Sequence, residues 1–267
     1  ESLGLAQTWL YPSDVCEHLL EITHDLTGLS WWATIVALTV AIRIACMPIY
    51  MRSSDMTART MAMRPEMEEL ARRFTVEQSS PQEFIAERRA LMAKHGVSQK
   101  WLFLPVVVNM FFGFGMFFGL DYIAQKDYPD FRDEGVLWFP NLNAPDPYLG
   151  LHFLAAVPFA LLVKWGGENG INTLSPFVTR IFMAMPFVTI FYTMSFPAAT
   201  ILYFTTSTLF TMLQSLALRL PAFRRTFRMA PLRRAPVDSA ASAKTFREQW
   251  NTALEAARKA AQEKQNK

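Results

Sequence analysis

One arginine, Arg43, stands inside the otherwise uncharged stretch 31–51, WWATIVALTVAIRIACMPIYM. A guanidinium carries five N–H donors and a permanent charge, so it can hold a carboxylate or phosphate but cannot act as a base. Arg43 lies eight residues before Met51, about 12 Å along a helix at about 1.5 Å per residue. Two roles fit that depth. The side chain can snorkel to the nearer interface. Alternatively it faces water, a partner or a substrate, the usual reason to keep a cation that costs about 2.5–3.5 kcal/mol at mid-helix. No acid lies in any apolar stretch to pair with it; the polar candidates there include Asn109, Thr189, Tyr192, Thr193, Thr205, Thr206, Ser207, Thr208, Thr211 and Gln214. Neutral groups of this kind hydrogen-bond a guanidinium without cancelling its charge. The expectation is a wet polar recess of net positive potential, attractive to an acidic segment. Only some of the hydroxyls should face it, because a helical Thr commonly bonds a carbonyl one turn back.

Covalent chemistry has no comparable support. The histidines, His18, His24, His95 and His152, are scattered, and no HExxH, glycine-rich phosphate loop or CxxC pair occurs. Neither a catalytic site nor a metal or cofactor site is expected, so the chain reads as a protein that moves or holds something, and not as an enzyme. His152 is expected at a membrane interface. Cys16 precedes the first apolar stretch and Cys46 lies in it, so no disulfide framework is expected. The chain starts at Glu1 without a basic, apolar leader, so any targeting segment is expected to be absent or already removed.

The 267 residues are 51% hydrophobic and only 18% charged, against about 25% charged in ordinary soluble domains. The shortfall is local: windows 29–51, 101–120 and 148–163 are nearly uncharged, and 181–218 holds no Asp, Glu, Lys or Arg. A bilayer core of about 30 Å takes about 20 helical residues. Ser195-Phe196-Pro197 divides the last window, giving spans at 29–51, 101–120, 148–163, 181–196 and 198–218. The fourth, at 16 residues, is about 24 Å long and implies a locally thin bilayer. The fold class expected is an all-α membrane protein with five transmembrane helices in one core, 29–218. Segments 1–30, 52–100, 121–148, 164–180 and 219–267 carry net charges of −5, +2, −4, +1 and +8. That alternation puts the N-terminal segment 1–28 outside and the basic tail 219–267 inside.

Within the inner segment, Met56, Met63, Met67, Leu70 and Phe74 form a helical stripe. Ser80, Pro81 and Glu83 then give an N-cap, a first-turn proline and a capping glutamate, starting a second helix that Gly96 ends after about His95. A helical hairpin over 54–96 is expected, either as a self-packed spacer or as an arm that meets a partner. Pro48 should bend the first span just below Arg43. Segment 121–148, rich in Pro, Asp and Asn, should be irregular. Arg224, Arg225, Arg228, Arg233 and Arg234 form a basic run after the last span, with Lys244 and Arg247 farther along in a polar helix. Such a run suits anionic lipid or the phosphates of RNA, and net charge does not separate them.

Three motifs carry a family resemblance. Trp31-Trp32-Ala33 precedes Arg43 and Pro48. Leu104-Pro105-Val106-Val107-Val108-Asn109-Met110 opens the second span. Phe196-Pro197-Ala198 precedes Leu202-Tyr203-Phe204, Leu209-Phe210 and Gln214. In this order they resemble the YidC/Oxa/Alb insertases over roughly 3–230, and the start, Leu3-Gly4-Leu5-Ala6-Gln7-Thr8-Trp9, is similar to mitochondrial members. The resemblance implies a substrate groove of Arg43, Asn109, Ser207, Thr208 and Gln214, in which Asn109 replaces a common glutamine. Ser207 and Thr208 stand where bacterial members often have polar amides. Phe111 stands where the family commonly has proline.

The resemblance further implies insertion of newly made, often nascent, proteins into the mitochondrial inner membrane, with export of N-terminal segments. The tail would face the matrix, and the basic residues would contact lipid or the mitochondrial ribosome, at large-subunit RNA or proteins near the exit tunnel. Other implied partners are the bilayer and a second copy of the chain. No cofactor is implied. Two rival functions are an assembly scaffold or ribosome tether without groove activity, and an anion or solute transporter. Unrelated spans without repeated halves argue against the transporter.

Overall fold

The first apolar stretch does not stop where the membrane span was expected to end. In a computed structural model describing residues 11–77, 81–125, 129–166 and 176–232, helix α2 runs unbroken over Trp31–Glu77. It therefore supplies both the first span and the first arm of the hairpin. Pro48 and Pro65 lie inside it, and both are exposed. Each removes one backbone N–H, yet the rings point off the packed face and the helix continues. No turn divides the span from the first arm of the hairpin.

The other described helices are α1 (Pro12–Thr27), α3 (Pro81–Lys94), α4 (Gln99–Gln125), α5 (Pro129–Asp133), α6 (Gly150–Lys164), α7 (Pro176–Thr193), α8 (Ala198–Arg219) and α9 (Pro221–Thr226). Among the described residues the only bridges outside helices are two isolated β-bridges, so the fold is all-α. Helices α2, α4 and α8 are long and apolar enough to cross a membrane; α6 and α7 are shorter apolar helices. Helix α7 begins five residues before the expected span and ends three before it. It is 18 residues long, so the shortest apolar helix is α6, with 15.

Helix α1 was not anticipated, because the acidic segment 1–28 has no long apolar run. It buries Cys16 and Leu20 completely against two glycines one turn apart on α4. A Cβ at Gly115 would lie 2.6 Å from both the Cys16 Sγ and the Pro12 carbonyl oxygen, and one at Gly119 would lie 3.1 Å from the Ser13 carbonyl oxygen. Only glycine lets the two backbones approach so closely. Burial pushes the Cys16 thiol up to about 12, which makes it inert.

The hydrophobic core gathers at this end of the bundle: Cys16, Leu20, Trp31, Ile35, Met116, Leu120, Phe131, Leu142 and the first residues of α8. The irregular segment after α5 serves it. Carbonyls of Ala144 and Leu142 accept from Ala198 N at 2.8 Å and Ala199 N at 3.0 Å, satisfying donors that a helix start leaves open. Buried Asp146 accepts from Leu151 N, Tyr148 N and the Trp138 indole at 2.7, 3.0 and 3.1 Å, which compensates its desolvation and places a negative charge at the start of α6. His152 is buried within the protein. Its Nε2 donates to the Thr193 carbonyl at 3.0 Å, tying α6 to the turn before α8.

At the opposite end, α2 and α3 form the hairpin. Helix α3 starts at Pro81 and the chain turns at Gly96 with φ of +63°, as the capping residues and the glycine required. Ser80 lies outside the described residues. Lys94 Nζ and His95 Nε2 donate to the two oxygens of Glu66 at 2.8 and 2.9 Å, and Phe74 meets Phe84 at 4.9 Å. The bonds from Lys94, then His95, hold the Glu66 carboxyl below its ordinary range. A depressed carboxylate pKa stabilises fully above the unfolded value, about 4.3, and the contribution is lost as pH falls through the folded value. The hairpin should therefore loosen below about pH 4. Spin-label distances between α2 and α3 check this, and a distance unchanged from neutral pH to acid would contradict it.

Candidate functional site

Beyond the core, toward the hairpin, the interior of the bundle turns polar. Arg43 on α2, Asn109 on α4 and Ser207 on α8 come together there. The Arg43 Nη1 donates to Asn109 Oδ1 at 3.1 Å and to the Tyr50 hydroxyl at 3.2 Å, while Nη2 donates to the Ser207 hydroxyl. Tyr50 in turn donates to Asn109 Oδ1 at 2.7 Å. Among the described residues all partners of the guanidinium are neutral, so its full charge persists in the recess. Half-buried Cys46 and buried Thr39 share the lining, with Phe112, Met116 and Tyr203 on the core side. The recess is partly open, with Arg43, Cys46 and Asn109 half-exposed, and its water-accessible volume is about 20 Å³, room for about one water.

Of the expected groove residues, Asn109 and Ser207 meet the Arg43 guanidinium; the others stand elsewhere. Thr208 is half-buried but does not line it, since one residue along a helix turns the side chain by about 100°. Gln214 lies two turns past Ser207 on the same face, outside the recess lining and 6% exposed. Its Oε1 has no hydrogen-bond partner among the described residues. Thr206 and Thr211 bond the carbonyls of Leu202 and Ser207 on their own helix, and Thr189 and Thr193 do likewise on α7, as anticipated for helical threonines. Thr205 also reaches the Leu151 carbonyl on α6 at 2.9 Å. Tyr50 was missed. It stands seven residues from Arg43, on the same helical face, and that spacing was the available signal.

The basic run is not uniform. Arg224 is only 3% exposed. Its Nη1 donates to Ser54 Oγ at 2.9 Å and the Leu218 carbonyl at 3.0 Å, and its Nε to the Ala230 carbonyl at 2.7 Å. Burial lowers its pKa and neighbouring Asp55 opposes that. It clamps the end of α8 to α2 and cannot also reach an external partner. Arg225 and Arg228 are exposed. Arg233, Arg234, Lys244 and Arg247 lie outside the described residues.

A family model described as 60Kd inner membrane protein matches residues 22–223, which takes in the recess and every apolar helix. The chain belongs to this family, the YidC/Oxa1 family. The resemblance read from the three motifs is thereby borne out. Among relatives in the family, the mitochondrial inner membrane protein OXA1 of Monosporozyma servazzii is 34% identical over 264 residues, covering 97% of this chain and 71% of the relative. OXA1 of Saccharomyces cerevisiae is 37% identical over 220 residues, 82% of this chain and 54% of the relative. The membrane protein insertase YidC of Helicobacter pylori is 26% identical over 199 residues, 74% of this chain and 34% of that protein. The chain thus spans from about a third to 71% of the length of these relatives.

Proposed function

We propose that the chain is an insertase of the mitochondrial inner membrane, and that the recess around Arg43 receives the hydrophilic segment of a newly made membrane protein. The observation that carries the reading is the guanidinium held by three neutral partners, with no acid against it among the described residues. A cation is costly in hydrocarbon, and a paired one would lose its pull on a substrate. Arg43 keeps its pull. The names of the relatives, OXA1 and YidC insertase, support the same reading.

In this reading α2, α4, α6, α7 and α8 all cross the bilayer, with α1 on the outer side and the hairpin and tail in the matrix. Arg52 stacks over Trp101 at 4.5 Å, a pairing suited to a membrane interface. Arg43 then sits nine residues, about 13 Å, inside it. Helix α6, with 15 residues, is about 22 Å long, short against a hydrocarbon core of about 30 Å. A thinner barrier and a polar recess both lower the transfer cost of a hydrophilic segment, while apolar client segments leave into lipid. Exposed Arg225 and Arg228, with the tail beyond them, would meet the ribosome or anionic lipid. Purified chain reconstituted into liposomes should insert a single-span client with a short acidic N-terminal segment. Client that stays protease-accessible to the same extent as with empty liposomes would overturn the reading.

A further inference from the structure

We propose that Arg52, Lys100 and Trp101 form a binding site for the phosphate headgroup of an anionic phospholipid, at the membrane interface on the hairpin side. The site uses the membrane placement given above and goes beyond the insertase activity, on which it does not depend. The Arg52 guanidinium carbon lies 4.5 Å, and the Lys100 Nζ 5.6 Å, from the centroid of the Trp101 ring. One indole in the first turn of α4 thus gathers a cation from α2 and another from its own helix. The ring face attracts cations without neutralising them. Neither cation makes an ion pair among the described residues. Asp55, the acid nearest Arg52 in sequence, is already engaged: its carboxylate accepts from Arg59 Nε at 3.0 Å and from Ala230 N at 2.6 Å. Arg52 and Lys100 are both exposed. Like charges gathered on one ring repel, so an anion that meets both is favoured over one that meets either alone.

The helix faces that lead to the site decide which anion it takes. On α4, Phe103, Val107, Met110 and Phe114 are all exposed, and their spacing makes one apolar stripe. Lys100 stands one turn before that stripe, on the same face. On α2, exposed Ala41, Ile44 and Pro48 lead at helical spacing to exposed Arg52. Both stripes therefore end in a cation, and both cations meet on Trp101. A lipid uses the whole arrangement: its acyl chains cover the stripes while its phosphate accepts charge-assisted bonds from the guanidinium and the ammonium. Free phosphate or RNA would use the charges and leave the stripes bare. A zwitterionic headgroup brings its own cation and gains less. Arg43 lies nine residues before Arg52, and Asn109 eight after Trp101, so the bound headgroup bridges the two helices that supply the recess.

The test uses the full chain in phosphatidylcholine vesicles that contain a minor fraction of a photoactivatable lipid, either phosphatidylglycerol or phosphatidylcholine, with its diazirine next to the headgroup. Crosslinks to the start of α4, residues 99–103, are measured by mass spectrometry. The wild type should favour phosphatidylglycerol by about 5- to 25-fold, a factor of about five for each cation near the surface. Arg52→Gln with Lys100→Gln should bring that ratio close to one. Trp101→Leu keeps both charges without the ring, and should lower the ratio by about 2- to 5-fold, the worth of an exposed contact between a cation and an aromatic face. Arg225→Gln with Arg228→Gln removes as much charge from exposed residues outside the site and should leave the ratio unchanged. A wild-type ratio near one, an unchanged ratio in either site variant, or equal losses in the two double variants would overturn the site. An unchanged ratio with lost ribosome co-sedimentation in Arg52→Gln with Lys100→Gln would assign the cations to RNA instead. Wild-type chain that keeps the lipid ratio but inserts no client would sink the insertase reading and leave the site standing.

Discussion

Arg43→Ala should lower insertion of clients with acidic N-terminal segments by about 10- to 100-fold, the range expected when one or two charge-assisted hydrogen bonds are lost. Neutral clients should lose far less. The argument starts from the donor geometry: Nη1 serves Asn109 and Tyr50 while Nη2 serves Ser207, so one planar group spans three helices or helix turns. Alanine removes both the charge and the span. Arg43→Lys keeps the charge but offers a single ammonium in place of the fork, and should retain an intermediate preference for acidic clients. Parallel insertion assays with matched acidic and neutral clients measure this. Equal losses for the two clients would remove the electrostatic role and leave Arg43 as a hydrating or packing residue. Folding should tolerate the change, since the residue lies outside the hydrophobic core.

The second large effect lies at the other end of the bundle. Gly115→Val should detach α1 from α4. Its Cβ alone would sit 2.6 Å from the Pro12 carbonyl oxygen, and a backbone atom cannot step aside as a side chain can. Overpacking of this kind costs about 1–3 kcal/mol or more, and α1 holds Cys16 and Leu20 in the core against that same face. The expected result is Cys16, inert in the wild type through burial, becoming reactive to maleimide with loss of thermal stability. Gly113→Val is the matched control, because a Cβ there meets nothing within 4 Å. Equal Cys16 reactivity in the two variants would show that α1 does not depend on the glycine contact.

What the sequence disclosed follows the physics of each feature. A lone charge in an uncharged stretch stands out, so Arg43 needed no structure to be noticed. Asn109 and Ser207 emerged because few polar groups share the apolar windows, and the family resemblance put them in register. Adjacent residues were harder: Ser207 faces Arg43 while Thr208 points elsewhere, and composition has no angular information. Tyr50 was overlooked because it sits at the edge of the window, although its seven-residue spacing from Arg43 was readable. Helix α1 escaped because its stability is supplied by Gly115 and Gly119 on a distant helix. The continuity of α2 from span into hairpin had no sequence signal of its own, because Pro48 and Pro65 lie inside the helix without ending it. Arg224 shows the same limit for charge: arginines in a run look alike in sequence, and only packing shows that Arg224 turns inward to Ser54 and Leu218.

The central claim is that a hydrophilic client segment passes through the recess. It is tested most directly by placing a photo-crosslinking amino acid at position 109 and activating it in the presence of ribosome-stalled nascent chains of a membrane protein client. Crosslinks from position 109 to the hydrophilic segment of the client, diminished in Arg43→Ala for acidic clients, are the predicted result. Crosslinks obtained from the hairpin and the tail but never from position 109 would contradict it and would make the chain a tether whose recess is idle.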